Sequence, residues 1–249
     1  MAQINYSDDA DYSDAREGFI LNSPVLPSLI HFFDQGAVEG ARNLASIDAA
    51  GSAIVGAPID QVGFVRFGSQ NQASPSKFVQ TEIADAASVT FLVIAKSPDS
   101  FADGDHKPSL IGNFATGDAH QGISLVMDND GGSFAYAEFQ NGGAAQLLTI
   151  TAGSQDNSEW TAFALVVDAG IGMRLYNYTE ANADSGVNTA LPRRLASRPL
   201  WIGAVPAGFA GLADIAFVAI IPAALTRVQG ETAFAPVRAY LAEKFGITA

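Results

Sequence analysis

The C-terminal stretch, residues 209–249, constrains the fold more than any other part of the chain. It opens with an apolar run rich in Val, Ile and Phe that ends at Ile221, a composition typical of a strand buried on both faces. A helical pattern follows, with Thr226 suited to the N-cap and Gly246 to a left-handed C-cap. Apolar side chains recur at helical spacing on one side of this tail, at Val237, Tyr240, Leu241 and Phe245. We therefore predict a buried strand and a short helix that lies on a sheet.

Two residues inside the tail oppose a continuous helix. Gly230 has low helix propensity, and Pro236 lacks the backbone N–H that a helix interior needs. The sequence therefore predicts a helix broken into two pieces, of which only Val237–Phe245 is firmly helical.

The rest of the chain reads as short strands separated by turn residues. Their spacing of roughly 8–15 residues is typical of a two-sheet sandwich or barrel. The predicted strands are 29–33, 52–55, 62–67, 78–81, 88–95, 109–114, 122–127, 133–139, 145–151, 160–168, 171–178, 199–203 and the closing run. In the strand 88–95, apolar residues occupy both alternating positions, which predicts a place in the centre of a sheet.

Two pairs of these strands are predicted hairpins. Residues 128–132, Asp-Asn-Asp-Gly-Gly, join one pair, and Ala169-Gly170 joins the other. No repeat or linker divides the chain. We therefore predict an all-β, two-sheet antiparallel sandwich over residues 23–249, preceded by an acidic arm over residues 1–22.

Charge and composition exclude several classes of partner. Thirteen Lys and Arg face 26 Asp and Glu, a formal net charge of −13, which repels nucleic acid and anionic membrane surfaces. The chain has no cysteine, so it can form neither disulfides nor thiolate metal sites. No apolar run is long enough for a membrane span, and residues 1–17 lack the apolar core of a signal peptide. We expect no membrane insertion. The acidic arm is either a mobile solvated segment or one that docks on a partner chain.

Three segments carry a resemblance to a known family. They are the strand Val89–Lys96, the hairpin 160–176, and the closing series Pro199–Gly203, 209–215, Leu225-Thr226 and Tyr240–Gly246. In the order of their predicted elements and in their residue patterns, residues 25–247 resemble the concanavalin A-like lectin/glucanase superfamily in its laminin-G-like form. The resemblance implies a jelly-roll sandwich.

The same resemblance implies an adhesive or sugar-binding surface, because such domains are frequent in bacteriophage tail, fibre and decoration proteins. The first hypothesis is a non-enzymatic, lectin-like virion component that is assembled in the bacterial cytoplasm. It would contact host-cell polysaccharide or another virion protein, the latter through residues 1–20, and one version of it is a homo-oligomer. The second hypothesis is a purely structural decoration or connector subunit. The third is a polysaccharide-degrading jelly-roll enzyme.

The motifs of catalysis are missing from the sequence. Retaining glycosidases need two carboxylates about 5 Å apart, and the superfamily's hydrolases place them in an E-x-D-x-x-E strand that this chain lacks. There is also no G-x-S-x-G elbow, P-loop or H-E-x-x-H helix. We therefore expect no enzyme activity.

Sugar binding requires an exposed aromatic ring with polar groups beside it. Trp160 and Trp201 begin strands of the core pattern, which favours a packing role for both. The surface candidates are tyrosines and arginines, the latter suited to acidic sugars or carboxylate-rich partners. They are Tyr136, Tyr176, Tyr178, Arg193 and Arg194, with Arg198 close behind. For the arginines, the alternative is loop charge that only adds solubility.

Calcium is the only metal that the sequence suggests. Ca²⁺ takes several loop oxygens, and Asp128 and Asp130 begin a D-x-D pattern that lacks the later bidentate Glu. Asp103 and Asp105 form a second acidic loop. The alternative for Asp128 and Asp130 is an ordinary hairpin turn, and we predict no obligatory cofactor. The histidines at 31, 106 and 120 show no zinc-ligand spacing.

Overall fold

A computed structural model describes residues 21–45, 51–68, 75–98, 107–115, 121–127, 133–152, 158–180, 184–206, 209 and 211–249. Within these residues the chain forms fifteen strands and two helices. The strands are β1 (Leu29–Phe32), β2 (Ala53–Val55), β3 (Ile59–Gln61), β4 (Phe64–Phe67), β5 (Phe78–Ala84), β6 (Ser88–Lys96), β7 (Ser109–Gly112), β8 (Ile123–Met127), β9 (Ser133–Asn141), β10 (Ala144–Ala152), β11 (Thr161–Asp168), β12 (Gly172–Asn177), β13 (Ser185–Asn188), β14 (Pro199–Ile202) and β15 (Ala213–Ile221). The helices are α1 (Ala37–Gly40) and α2 (Arg227–Phe245).

The strands form two antiparallel sheets. The eight-stranded sheet runs β13-β12-β11-β6-β15-β4-β3, with β1 paired beside β4 on the free edge of β15. The seven-stranded sheet runs β10-β9-β8-β7-β14-β5-β2. Large apolar side chains of both sheets meet in one buried layer between them, including Phe91, Phe139, Phe163 and Ile215. The predicted two-sheet antiparallel sandwich is confirmed.

Strand β6 shows how the alternation of side chains builds two layers. Val89, Phe91 and Val93 point into the layer between the sheets, whereas Leu92 and Ile94 point to the outer face. Both sets are buried: the first lies between the two sheets, and the second is covered by α2. The central position predicted for this strand is confirmed, since β6 lies between β11 and β15.

Helix α2 begins and ends where the sequence predicts. The Thr226 hydroxyl accepts from Gln229 N while the Gln229 side chain accepts from Thr226 N, a reciprocal capping box. Gly246 ends the helix in the left-handed conformation, with φ of 66°. One side of the helix is buried on the eight-stranded sheet through Gly230, Ala233, Phe234, Val237 and Leu241.

The predicted break in this helix is wrong, because α2 is continuous over 19 residues with Pro236 inside it. A proline in a helix interior costs about 3 kcal/mol. Phe234 before Pro236 and Leu241 after it are both fully buried. Burial of these apolar side chains stabilises the helix on either side of the proline and offsets that cost. Gly230 is required by close approach: a Cβ there would lie 2.2 Å from the Tyr178 hydroxyl.

The sequence patterns did not predict the shortest elements. Helix α1 and strands β3 and β13 lie in stretches that read as loops, and each is only three or four residues long. Residues 1–20 of the predicted arm lie outside the described residues. Leu21, which we assigned to that arm, is buried in the layer under α2. Among the described residues no helix is long and apolar enough to cross a bilayer.

Candidate functional site

The outer face of the seven-stranded sheet carries the candidate site, and strand β9 supplies its centre. Ala135, Ala137 and Phe139 of this strand point into the core. The alternate residues Phe134, Tyr136 and Glu138 therefore point outward. Thus one strand presents two aromatic rings and a carboxylate to the side of the sandwich that α2 does not cover.

Two more rings complete what we call the aromatic group: Phe114, Phe134, Tyr136 and Phe209. The Tyr136 ring lies 5.1 Å from Phe114 and 5.8 Å from Phe209, at interplanar angles of 22° and 9°. Phe134 meets Tyr136 edge to face at 5.0 Å, and Lys107 Nζ lies 4.6 Å from the Phe134 ring centroid. Tyr136 and Phe209 are partly exposed, while Phe114 and Phe134 are buried. The partly exposed rings therefore pack against buried rings, and we call such an arrangement a supported aromatic surface.

A polar network lies beside the aromatic group. Glu138 is only 1% exposed, and its Oε2 accepts from the backbone N–H of Gln121 and, at 3.4 Å, from that of Gly122. Its Oε1 lies 3.2 Å from Nη1 of Arg194, whose side chain is 23% exposed. The buried carboxylate therefore fixes Arg194 at the edge of the face.

Arg198 extends this network toward β7. Its guanidinium donates to the carbonyls of Asn113, at 3.1 and 3.2 Å, and of Gln121, at 3.3 Å. Asn113 is fully buried; its side chain donates to Arg198 O and accepts from Ile123 N. The backbone just before Phe114 is therefore held by side-chain hydrogen bonds. This rigidity suits a binding face, because pre-ordered groups lose little entropy when a ligand arrives.

Arg193 does not reach the surface. Its side chain is fully buried and forms an ion pair with Asp85, with Nη2 at 3.0 and 2.9 Å from the two carboxylate oxygens. Burial raises the pKa of Asp85 and lowers the pKa of Arg193, because loss of hydration outweighs the attraction within the pair. Arg193 therefore anchors the segment that carries Arg194 and is not available to a ligand.

The other two predicted tyrosines lie on the opposite side of the molecule. Tyr178 is buried beneath α2, with its ring 5.4 Å from Phe234 and its hydroxyl donating to Arg227 O at 3.1 Å. That burial raises its pKa. Tyr176 is partly exposed on the same outer face, and burial raises its pKa as well. The sequence therefore grouped Tyr136 with two residues that the fold separates from it.

The tryptophans also differ from each other. Trp160 is partly exposed and packs against Phe64 at 5.1 Å in the layer beside α2, which confirms the predicted packing role. Trp201 alternates with Leu200 and Ile202, which point into the core, so it points to the outer face of the seven-stranded sheet. There it stacks on Phe78 at 4.2 Å and stays partly exposed. Trp201 therefore packs as predicted, but it also presents part of its ring to solvent, which the sequence did not predict.

The predicted calcium residues Asp128 and Asp130 lie outside the described residues, as do Asp103 and Asp105. In the part of the chain that is described, no three His, Asp or Glu side chains come together as a metal site. Calcium binding stays a prediction.

Sequence reasoning missed Phe114, Phe209, Gln121 and the surface role of Trp201. The alternation within β9 and β14 could have placed Phe134, Tyr136 and Trp201 outward. No local signal marks Phe114 or Phe209, because each joins the group from a segment outside the strands.

Comparisons with known proteins support the fold. No protein-family model matches the sequence, and no curated protein is similar enough to match it. Among solved structures, the chain is similar to domain 4 of AbnA, a GH43 extracellular arabinanase from Geobacillus stearothermophilus, in complex with arabinotriose. That match has a TM-score of 0.54 and 16% identity, and it covers 84% of this chain and 98% of that one.

Two toxin domains are similar as well. The botulinum neurotoxin serotype D ligand binding domain in complex with N-acetylneuraminic acid has a TM-score of 0.57 and 11% identity, covering 87% of this chain and 51% of that one. The binding domain of Paraclostridial Mosquitocidal Protein 1 has a TM-score of 0.57 and 13% identity, covering 89% and 53%. The chain therefore spans about half the length of these toxin domains. At such identities the comparisons show the fold alone: the chain has the lectin-like, jelly-roll β-sandwich.

Proposed function

We propose that the protein is a non-catalytic carbohydrate-binding domain whose binding surface is the outer face of the seven-stranded sheet. The observation that carries this proposal is the aromatic group centred on Tyr136, with Arg194, Arg198 and Gln121 beside it. Aromatic faces bind the C–H surfaces of sugar rings, and fixed polar groups bind the hydroxyls. Two structural neighbours were solved with a sugar bound, arabinotriose in one and N-acetylneuraminic acid in the other, which supports this use of the fold.

The state of Glu138 supports a binding role rather than hydrolysis. Glycoside hydrolysis needs a pair of carboxylates that reach the substrate. Glu138 is almost completely buried, and both of its oxygens already accept from Arg194 or from backbone N–H groups. This carboxylate therefore positions its neighbours.

The test compares two tyrosines on opposite faces. Tyr136→Ala and Tyr176→Ala each remove a partly exposed ring, the first from the seven-stranded sheet and the second from the eight-stranded sheet. On a glycan array and by calorimetry, we expect Tyr136→Ala to weaken sugar binding about tenfold, as loss of a central contact does. Tyr176→Ala should bind like the wild type. Wild-type protein that binds no glycan, or equal effects of the two variants, would contradict the proposal.

The setting we propose for this activity is a phage or phage-like particle that contacts host-cell polysaccharide. The support is the closing strand-and-helix sequence, which resembles virion domains, together with an acidic N-terminal segment suited to docking on a neighbouring subunit. Labelling of purified particles with an antibody against this protein would test the setting. A particle that carries the protein but shows no sugar binding would favour the purely structural role.

A further inference from the structure

The strand register places six residues of the seven-stranded sheet in one row across the strands. Each residue of the row is paired directly with the next. The row runs Thr149, Tyr136, Ser124, Gly112, Trp201 and Gln80, from β10 to β5. Because directly paired residues share a face, all of these positions lie on the outer face with Tyr136. The row therefore joins the aromatic group to Trp201.

The two aromatic side chains of this row are well separated. Tyr136 and Trp201 are three strands apart in the sheet order, which corresponds to about 14 Å. The two positions between them, Ser124 and Gly112, are buried and offer no contact to a ligand, so a ligand that reaches both rings passes above these two positions. This span exceeds one sugar ring, so a monosaccharide cannot contact both aromatic side chains at once.

Each end of the row is built as a supported aromatic surface. Tyr136 lies beside Phe114 and Phe209 in nearly parallel orientation. Trp201 stacks on the buried Phe78 at an interplanar angle of 14°. In both cases a partly exposed ring is backed by a buried one, which restricts its motion before a ligand arrives. The outer face of the seven-stranded sheet therefore carries two such supported aromatic surfaces, one at Tyr136 and one at Trp201.

We propose that the ligand is an extended polysaccharide chain that crosses the strands and occupies two aromatic subsites, one at Tyr136 and one at Trp201. This inference rests on the proposed carbohydrate-binding function and adds the class of ligand and its direction across the sheet. Arg198 donates to the carbonyls of Asn113 and Gln121, next to β7 and β8, the two strands that lie between the subsites. A terminal monosaccharide would use one subsite only.

The test measures affinity against chain length. The chain has two tryptophans, so Trp160→Phe leaves Trp201 as the single fluorescent reporter and serves as the reference protein. Mono- to hexasaccharides of the arabinan, β-glucan and polysialic acid series are the probes, with dissociation constants from calorimetry. We expect the best hexasaccharide to bind at least about tenfold more tightly than its monosaccharide and to change Trp201 emission.

Variants at the two subsites complete the test. Tyr136→Ala and Trp201→Ala should each lower hexasaccharide affinity about tenfold and remove most of the length dependence, while Tyr176→Ala changes neither. Sugar binding without length dependence, or with full affinity in Trp201→Ala, would overturn the two-subsite inference and leave the proposed function standing. Absence of binding to every probe would overturn both.

Discussion

The outer faces of the two sheets differ in how they are covered, although strands of both sheets alternate inward and outward side chains. On the eight-stranded sheet, α2 covers the outward side chains of β6 and β15 and turns that face into a second core layer. On the seven-stranded sheet, Tyr136 of β9 and Trp201 of β14 remain partly exposed, the former beside a fixed polar network. Tyr178 is therefore buried because α2 packs on it, whereas Tyr136 stays partly exposed on a face that α2 does not cover.

Phe234→Ala breaks the covered face and should have the largest effect. Phe234 is fully buried between Tyr178 and Phe217, so removing its ring leaves a cavity and should lower the free energy of unfolding by about 3–5 kcal/mol. Urea unfolding measures this loss, and Val228→Ala, at an exposed position of the same helix, should change it by less than about 0.5 kcal/mol. Sugar affinity per folded molecule should be unchanged, because the two faces share no side chain. A parallel loss of affinity would show that the faces are coupled.

Asp85→Asn acts on the buried ion pair beside β9 of the seven-stranded sheet. The substitution leaves Arg193 buried beside a neutral amide, and breaking a buried pair costs about 3 kcal/mol or more. Because Arg193 anchors the segment that bears Arg194, sugar affinity should fall together with the free energy of unfolding. This double loss is the contrast with Phe234→Ala.

The double variant Asp85→Leu with Arg193→Met is the matched control for the ion pair. Apolar residues of similar volume can replace a buried pair with little loss, so most of the stability should return. If Asp85→Asn alone leaves both unfolding and binding unchanged, the pair does not anchor this segment.

The smallest predicted effect is that of acidification on the free energy of unfolding, through a histidine in the buried layer between the sheets. His31 on β1 is fully buried, and burial lowers its pKa from 6.5 to about 3. Since only the unfolded chain takes up the proton in this range, the His31 contribution to stability is complete above pH 6.5. It is lost at up to about 1.4 kcal/mol per pH unit as the pH falls toward 3.

The measurement is the free energy of unfolding of wild type and His31→Gln between pH 7 and pH 4. The glutamine variant should show the shallower pH dependence, because its amide does not titrate. Identical slopes would show that burial does not lower the pKa of His31 in the folded protein.

The alternation of apolar residues was enough to predict most strands and the two layers that β6 separates. Caps at Thr226 and Gly246 located the helix ends, since capping depends on adjacent backbone groups. The break at Pro236 was predicted wrongly because propensity describes an isolated helix and not one that packs on a sheet. Elements of three or four residues, such as α1 and β3, have too few positions to show a period.

The candidate site was only partly predictable. Tyr136 and Arg194 were found as surface candidates, but Phe114 and Phe209 reach Tyr136 only through folding. Arg193 pairs with a residue 108 positions away, so nothing near it in sequence indicates its burial.

The sequence by itself determined the all-β class, the closing strand and helix, and the residues able to face outward, because these depend on periods of two and of about 3.6 residues. Only the tertiary structure decided which outward residues stay exposed. Tyr136 and Tyr178 both belong to alternating stretches, yet α2 buries Tyr178 and leaves Tyr136 beside Phe209. The physical reason is that exposure depends on which distant element packs on a face, and alternation along one strand carries no information about that.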